Sequence, residues 1–195
     1  MKKLDLSCCE LSQRGFFEFI PILLKTEHVI LQGNPISPID LKILSKQIHD
    51  AKGKTALKTL DMSSSNLNDE SLQQISKFAF LLENVDFQNS NFGPEGMESL
   101  IKCFHKFEGG VLQSLNLRMC KLTDKCLEIL FELIPHLSSV ILSSNNFSGS
   151  SGVRLDERED NRLRHLDLRY SRVTQDMKKT LSLVCRNQKI DLKIW

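Results

Sequence analysis

The chain has 195 residues, enough for one well-buried core, and its 41% apolar and 26% charged residues are ordinary for a globular protein. A formal net charge of +2 is too close to balance to indicate a nucleic acid or an anionic membrane as the partner. The longest apolar run, residues 16–24, is much shorter than the ~20 residues of a membrane-spanning helix, and it contains Glu18 and Pro21. The sequence therefore predicts a protein without a membrane segment.

The cysteines are too sparse for a small secreted disulfide scaffold, and none of them forms a C-x-x-C pair. The N-terminus carries two lysines but no apolar segment of the kind found in a secretory signal. We interpret the cysteines as free thiols of a reducing compartment, which predicts a cytoplasmic location. The alternative is a disulfide between Cys8 or Cys9 and a cysteine distant in the sequence.

One pattern, L-x-x-L-x-L-x-x-C/N-x-L, is clearest in residues 112–122 and recurs along the whole chain. Intervals of 25 residues alternate with intervals of 30 or 31 through the first five, which indicates a pair of repeats as the unit. Counted so that Leu4 is at position four, this position falls at Leu4, Val29, Leu60, Val85, Leu115, Val140 and Leu166, with a truncated eighth copy at Ile190.

The residue types at fixed positions predict what each position does. Positions four and six point to the same side of a strand, so their apolar side chains are expected to form a shared core. Position nine is Cys, Asn or Ser, as in Cys120 and Asn145, and is expected to turn inward and satisfy backbone groups. Positions two, three, five, seven and eight are expected to face solvent on the side of the sheet away from the core.

Between the strands the apolar spacing changes to that of a helix. Phe16, Ile20 and Leu23 follow this spacing, and five later segments repeat it. Helix starts are expected at Ser37, Asn68, Gly93-Pro94, Thr123 and Thr174. Each unit is therefore strand, turn, helix and return, and the class is α/β, a single solenoid domain over residues 1–195.

Two features depart from this regular pattern. Between Phe147 and Leu163 only Val153 and Leu155 are apolar, so this segment is expected to be a loop or a short frayed helix. It is either a tolerated surface variation or a loop that docks a partner. The first repeat begins at Met1 without a polar cap, which predicts either that the chain is cut from a longer protein or that a partner covers this edge.

The positional pattern resembles that of leucine-rich-repeat proteins over essentially the whole chain. The paired long and short units and the alternation of Cys9 with Asn34 and of Cys120 with Asn145 are similar to the ribonuclease-inhibitor-like subfamily. The Lys-, Ser-, Phe- and Asn-rich usage and the irregular repeats resemble an effector of an intracellular bacterium, for which the location would be the host cytosol. The resemblance implies a right-handed horseshoe with parallel strands on the concave face, helices on the convex face, and a protein partner on the concave sheet.

The candidate partner-binding residues lie at the solvent-facing positions. Five aspartates at position five form either a solvated row or an acidic ridge for a basic partner. Arginine and tyrosine dominate the C-terminal copies, and both types are frequent interaction hot spots. Arg169 and Tyr170 are the strongest pair. The predicted site comprises Asp61, Asp86, Asn116, Arg118, His165, Asp167, Arg169, Tyr170, Lys189 and Asp191.

Catalytic interpretations are weak. The histidines show no metal-ligand spacing with cysteines or carboxylates, and no phosphate-binding or dinucleotide-binding glycine motif is present. A pair of Cys8 and His28 on adjacent strands is conceivable but has no third group. We therefore predict no enzyme, no cofactor, no small-molecule substrate, no nucleic acid and no membrane, but a protein-protein interaction module. The alternatives are a GTPase-activator-like regulator, with Asn145, Asn146 and Arg154 near one rim, or the ligand-sensing part of a larger innate immune receptor.

Overall fold

The computed structural model describes residues 1–106, 110–149 and 161–195. It contains one open sheet of eight parallel strands in sequence order, each three residues long, as predicted. The predicted segment between Phe147 and Leu163 lies largely outside the described residues. The strands are β1 (Lys3–Asp5), β2 (His28–Ile30), β3 (Thr59–Asp61), β4 (Asn84–Asp86), β5 (Ser114–Asn116), β6 (Ser139–Ile141), β7 (His165–Asp167) and β8 (Asp191–Lys193).

Six α-helices alternate with these strands in the described part of the chain. Short 3₁₀ turns, Ala79–Leu81 and Ile134–His136, follow the third and fifth helices. The helices are α1 (Gln13–Leu23), α2 (Pro38–Asp50), α3 (Asp69–Ile75), α4 (Pro94–Lys106), α5 (Asp124–Leu130) and α6 (Gln175–Asn187).

The predicted helix starts are confirmed at the backbone, but one of them lacks its side-chain bond. Ser37 forms a capping box with Asp40, and the side chains of Asn68 and Thr174 accept the N–H groups of Ser71 and Met177. Thr123 is the N-cap of α5 but makes no capping hydrogen bond with its side chain.

The two long repeats contain longer helices than the 25-residue repeats that follow them. The two units of 30 or 31 residues contain α2 and α4, each 13 residues long, whereas the 25-residue units after β3 and β5 contain helices of seven residues followed by a 3₁₀ turn. A long helix therefore stands on each side of the short helix α3.

Position four and position six form the core, as predicted. In the interior repeats these side chains are almost fully buried, and they pack against the apolar stripes of the helices. At the ends of the sheet, Leu4, Leu6 and Leu192 are only partly buried because each lies on a strand with one neighbour. Stacked repeats thus bury one another's apolar faces.

Position nine satisfies backbone groups, as predicted, and asparagine does so most completely. The Asn145 carboxamide oxygen accepts the N–H groups of Cys120 (2.9 Å) and Leu122 (3.0 Å). Its Nδ2 donates to the carbonyl groups of Leu117 and Leu142, each at 2.8 Å. Asn34 makes the equivalent bonds to Cys9, Leu11, Leu6 and Leu31.

The remaining position-nine residues make fewer bonds. Ser65, Cys120 and Ser171 each donate to the position-six carbonyl of the preceding repeat, which belongs to Leu31, Phe87 and Leu142 respectively. The buried Ser90 hydroxyl has no hydrogen-bond partner among the described residues. A hydroxyl or thiol cannot also supply the carboxamide oxygen that serves two N–H groups in the asparagine repeats.

The register of the eighth strand corrects the sequence prediction. Leu192, and not Ile190, pairs with Leu166 and occupies position four. Consequently Asp191 lies at position three beside His165, and Lys193 lies at position five beside Asp167. The sequence reasoning failed here because Ile190, Leu192 and Ile194 alternate perfectly, so that a shift by two residues leaves the apolar pattern unchanged.

Candidate functional site

The aspartates at position five have a structural task. Five repeats carry aspartate or asparagine at position five. In each of them, the side-chain oxygen accepts the N–H group of the residue two positions later. These pairs are Asp5–Ser7, Asp61–Ser63, Asp86–Gln88, Asn116–Arg118 and Asp167–Arg169, with distances between 2.9 and 3.1 Å. Such Asx turns end these five strands, so the predicted acidic row is first of all a row of turn acceptors.

Asp86 lies in the middle of this row and is half-buried. Burial raises the pKa of its carboxyl group, and the nearby charge of Asp61 acts in the same direction, while hydrogen bonds from Gln88 and Asn116 oppose the rise. Asn116 Nδ2 donates to Asp86 Oδ2 at 2.8 Å. A cationic group of a partner placed here would relieve this unfavourable charge.

Asp167 is the most buried carboxyl group of the row, with 4% of its surface exposed. Arg169 covers it with two parallel hydrogen bonds, Nε to Oδ1 at 3.0 Å and Nη2 to Oδ2 at 2.8 Å. Burial alone would raise the pKa of Asp167, but the hydrogen bonds and charge of Arg169 outweigh it and lower the pKa below the usual 3.8.

The pairing of Asp167 with Arg169 predicts a specific dependence of stability on pH. Because the folded-state pKa is lowered, the stabilisation is complete above a pH of about 3.8 and is lost as the pH falls through the lowered value. Asp167→Asn keeps a turn acceptor but removes the charge. The difference in unfolding free energy between the wild type and this less stable variant should therefore become smaller in this acid range. Urea unfolding of both proteins between about pH 6 and about pH 2 measures the difference. A deficit independent of pH would contradict the assignment.

Position eight has a backbone conformation that the sequence analysis did not anticipate. All seven residues at this position have a positive φ, between 52° and 68°. Most of them are small or polar, which suits the left-handed region. Two are large and exposed, Met119 with 44% and Tyr170 with 75% of the surface accessible. The seven residues are Cys8, Gly33, Ser64, Asn89, Met119, Ser144 and Tyr170.

Met119 and Tyr170 stand beside two arginines on the same rim. Arg118 and Arg169 occupy position seven of the same two repeats, and only the small Ser143 and Ser144 of the intervening repeat lie between them. We call Arg118, Met119, Arg169 and Tyr170 the arginine–tyrosine patch. The predicted site contained three of these residues. Met119 was predicted to face outward at position eight, and its exposure adds it to the patch.

The other predicted site residues are distributed around this patch. His165 Nδ1 lies 2.8 Å from Asp191 Oδ2, which places this pair on β7 and β8. Asp61, Asp86 and Asn116 continue the row along β3 to β5. Lys189 was predicted as a concave residue, but it lies in the turn between α6 and β8 with φ of 57°, because the strand begins two residues later than expected.

The structure separates the residues of the catalytic alternatives. His28 Nδ1 lies 3.1 Å from Thr59 Oγ1, whereas the Cys8 thiol lies against Gly33 at the other end of the strand. Asn145 is buried and fully engaged by backbone groups, so it cannot serve a GTPase from the rim. Arg154 lies outside the described residues. Within those residues, no cluster of three metal-ligating side chains occurs and no helix could cross a membrane.

Comparison with known proteins agrees with the repeat architecture. Residues 53–76, which include β3 and α3, match a family model described as "Leucine Rich repeat". The fold is a leucine-rich-repeat solenoid. No curated protein matches the chain. Leucine-rich repeats are typically non-catalytic scaffolds for protein-protein interaction, and that is the function class that the repeat match supports.

Proposed function

We propose that this chain binds a protein partner through the concave sheet, that the arginine–tyrosine patch is the centre of the interface, and that it catalyses no reaction. The observation that carries the proposal is the exposure of Tyr170 and Met119 at left-handed backbone positions. A non-glycine residue in this conformation costs about 1–2 kcal/mol, and asparagine costs less. Neither side chain recovers that cost by burial in the fold, so contact with a partner explains their presence.

The patch has the chemistry of an interaction hot spot. Arg118 makes no ion pair with a carboxylate among the described residues, so its charge is available to a partner. Arg169 is held in place by Asp167, which reduces the side-chain entropy that binding would remove. Tyrosine and arginine are enriched among residues that dominate binding energy. The partner surface is therefore expected to offer a carboxylate for Arg118 and an apolar or aromatic group for Met119 and Tyr170.

The outer parts of the proposed interface follow the strands on both sides of the patch. Asp61, Asp86 and Asn116 would meet polar or basic groups, since the pKa of Asp86 is raised and a cation would favour its charged form. His165 and Asp191 lie at position three of β7 and β8 and extend the surface in the other direction. Lys189 is not included, because it precedes β8.

We further propose that the protein acts in the cytosol. All six cysteines are free thiols, and Cys8 and Cys9 are exposed, which suits a reducing compartment. The composition favours a bacterial effector that acts on a host protein, and host cytosol is then the source in which to search for the partner.

The test compares partner recovery from cytosolic extract with two double variants. Arg169→Ala/Tyr170→Ala should reduce recovery of the specific partner at least ~10-fold. The matched control, Leu183→Ala/Arg186→Ala on the exposed face of α6, should leave recovery unchanged. Equal recovery with both variants would contradict the site. Adding the protein to a panel of small GTPases tests the alternative, and accelerated GTP hydrolysis would favour an activator.

A further inference from the structure

A notch on the helical side of the solenoid arises from the alternation of helix lengths. The short helix α3 and the 3₁₀ turn Ala79–Leu81 stand between the C-terminal halves of the 13-residue helices α2 and α4. The longer helices extend past the short one and enclose a cavity of about 760 Å³. This volume is within the range of small-molecule sites, roughly 300–1,000 Å³.

The cavity has an apolar floor and a cationic rim. Ile48, Phe80 and Leu81 form the floor. Among the ten lining residues that the structure describes, five are lysine or histidine and none is acidic. The cationic residues are Lys46, His49, Lys52, Lys77 and Lys106.

The repeat architecture does not by itself impose this lining. Helix α5 and the turn Ile134–His136 repeat α3 and its turn at a displacement of 55 residues. There, Glu132 takes the place of Lys77 and Pro135 takes the place of Phe80. The second short unit therefore has neither the lysine nor the aromatic ring of the first.

Only some of the cationic side chains around the cavity have a partner within the protein that explains their presence. Cations near helix C-termini are favourable in themselves, His49 lies 3.6 Å from Asp50, and Lys77 donates to Gln74 at 2.6 Å. Lys46 and Lys52, however, make no ion pair with a described carboxylate. In α4 the residue equivalent to Lys46 is Lys102, which pairs with Glu98 at 3.4 Å, and the residue of α2 equivalent to Glu98 is Lys42. Helix α2 therefore carries unpaired positive charge at a position where α4 carries an ion pair.

We propose that the notch binds a single-chain amphiphile with an anionic head group. The apolar chain would lie on Ile48, Phe80 and Leu81, and the head group would be held by Lys46, Lys77 and their neighbours. An ammonium group binds phosphate or carboxylate as a compact charge with several donors, while the floor removes apolar surface of the chain from water. This site lies on the opposite side of the sheet from the arginine–tyrosine patch and is independent of it.

Isothermal titration of the full chain with dodecyl phosphate, below its micelle concentration, tests the proposal. Dodecyl phosphate should bind, dodecanoate should compete with it, and inorganic phosphate or dodecyltrimethylammonium should bind at least ~10-fold more weakly, because one lacks the chain and the other lacks the anion. Amide chemical shifts of the wild-type protein should change mainly within residues 45–53 and 77–81. Equal binding of the cationic and anionic amphiphiles, or shift changes located elsewhere, would overturn the proposal.

Charge reversal supplies the matched variants. Lys46→Glu/Lys77→Glu should weaken dodecyl phosphate binding at least ~10-fold, and the second substitution introduces the residue that the other short unit carries at this place. Lys25→Glu, at another exposed site, should bind within about twofold of the wild type. Unchanged affinity in the double variant would refute the site. Binding of a hexaglutamate peptide to the same residues without binding of dodecyl phosphate would also overturn it, in favour of an acidic protein segment.

Discussion

Replacing Asn145 with alanine is expected to lower the free energy of unfolding by roughly 3–5 kcal/mol. The substitution leaves two N–H groups, of Cys120 and Leu122, and two carbonyl groups, of Leu117 and Leu142, without their partner. Because these groups are buried, water can replace the carboxamide only if it enters the space that the side chain vacates. Urea unfolding followed by circular dichroism measures the loss.

Two further alanine substitutions calibrate this result. Asn146→Ala changes the exposed neighbouring side chain and should alter stability by less than about 0.5 kcal/mol. Asn34→Ala removes the equivalent bonds at the first two repeats, where Cys9 is exposed and Leu11 is partly buried, and it should cost less than Asn145→Ala because water reaches the freed groups. A loss at Asn145 no larger than that at Asn146 would show that the carboxamide does not support the turn.

Tyr170→Asn is expected to stabilise the fold while it weakens partner binding. At a φ of 56°, asparagine is more favourable than tyrosine, and the exposed ring contributes little buried surface, so the unfolding free energy should rise by up to about 1 kcal/mol. If the ring is a hot spot of the interface, affinity for the partner should fall at least ~10-fold. Thermal unfolding and a binding titration on the same preparations measure the two effects.

Ser144→Asn is the control for Tyr170→Asn, since it places the same residue at the equivalent position of the adjacent repeat. It should change stability little and should retain most of the binding, because serine contributes little contact area. A Tyr170→Asn protein that is less stable than the wild type would indicate that the ring supports the fold. The binding loss would then not identify an interface.

The fold could be predicted from the sequence because its determinants are local and repeated. An apolar residue at position four or six alternates with solvent-facing residues, and Leu60 and Met62 show this as clearly as Leu115 and Leu117. The one error of register, at Ile190, occurred where a strand offers three alternating apolar residues and no position-nine residue follows to fix the count. A strand pattern of period two determines which face is buried but not which pair of residues is opposed.

The candidate site could be predicted only in part, because the roles of its residues depend on side-chain contacts that the repeat pattern does not specify. Asp167 and Arg169 were predicted as surface residues, but the bidentate pairing that buries the carboxylate depends on their side-chain conformations. The left-handed conformation at position eight had a signal in the sequence, since Gly33, Asn89 and the serines recur there. The notch beside α3 had none, because three separate repeats contribute to it.

The asparagines of position nine also affect which insertions and deletions of repeats the fold can tolerate. Asn34 and Asn145 each stand in the repeat that follows a 25-residue repeat, and each completes backbone groups of that preceding repeat. Deletion of only the second repeat of such a pair would leave backbone N–H groups of the first repeat without the asparagine oxygen that accepts them. Loss or duplication of both repeats would remove or copy the donors together with their acceptor. We therefore expect insertions and deletions that include one of these asparagines to span two repeats, about 55 residues, which is the spacing that separates α3 from α5.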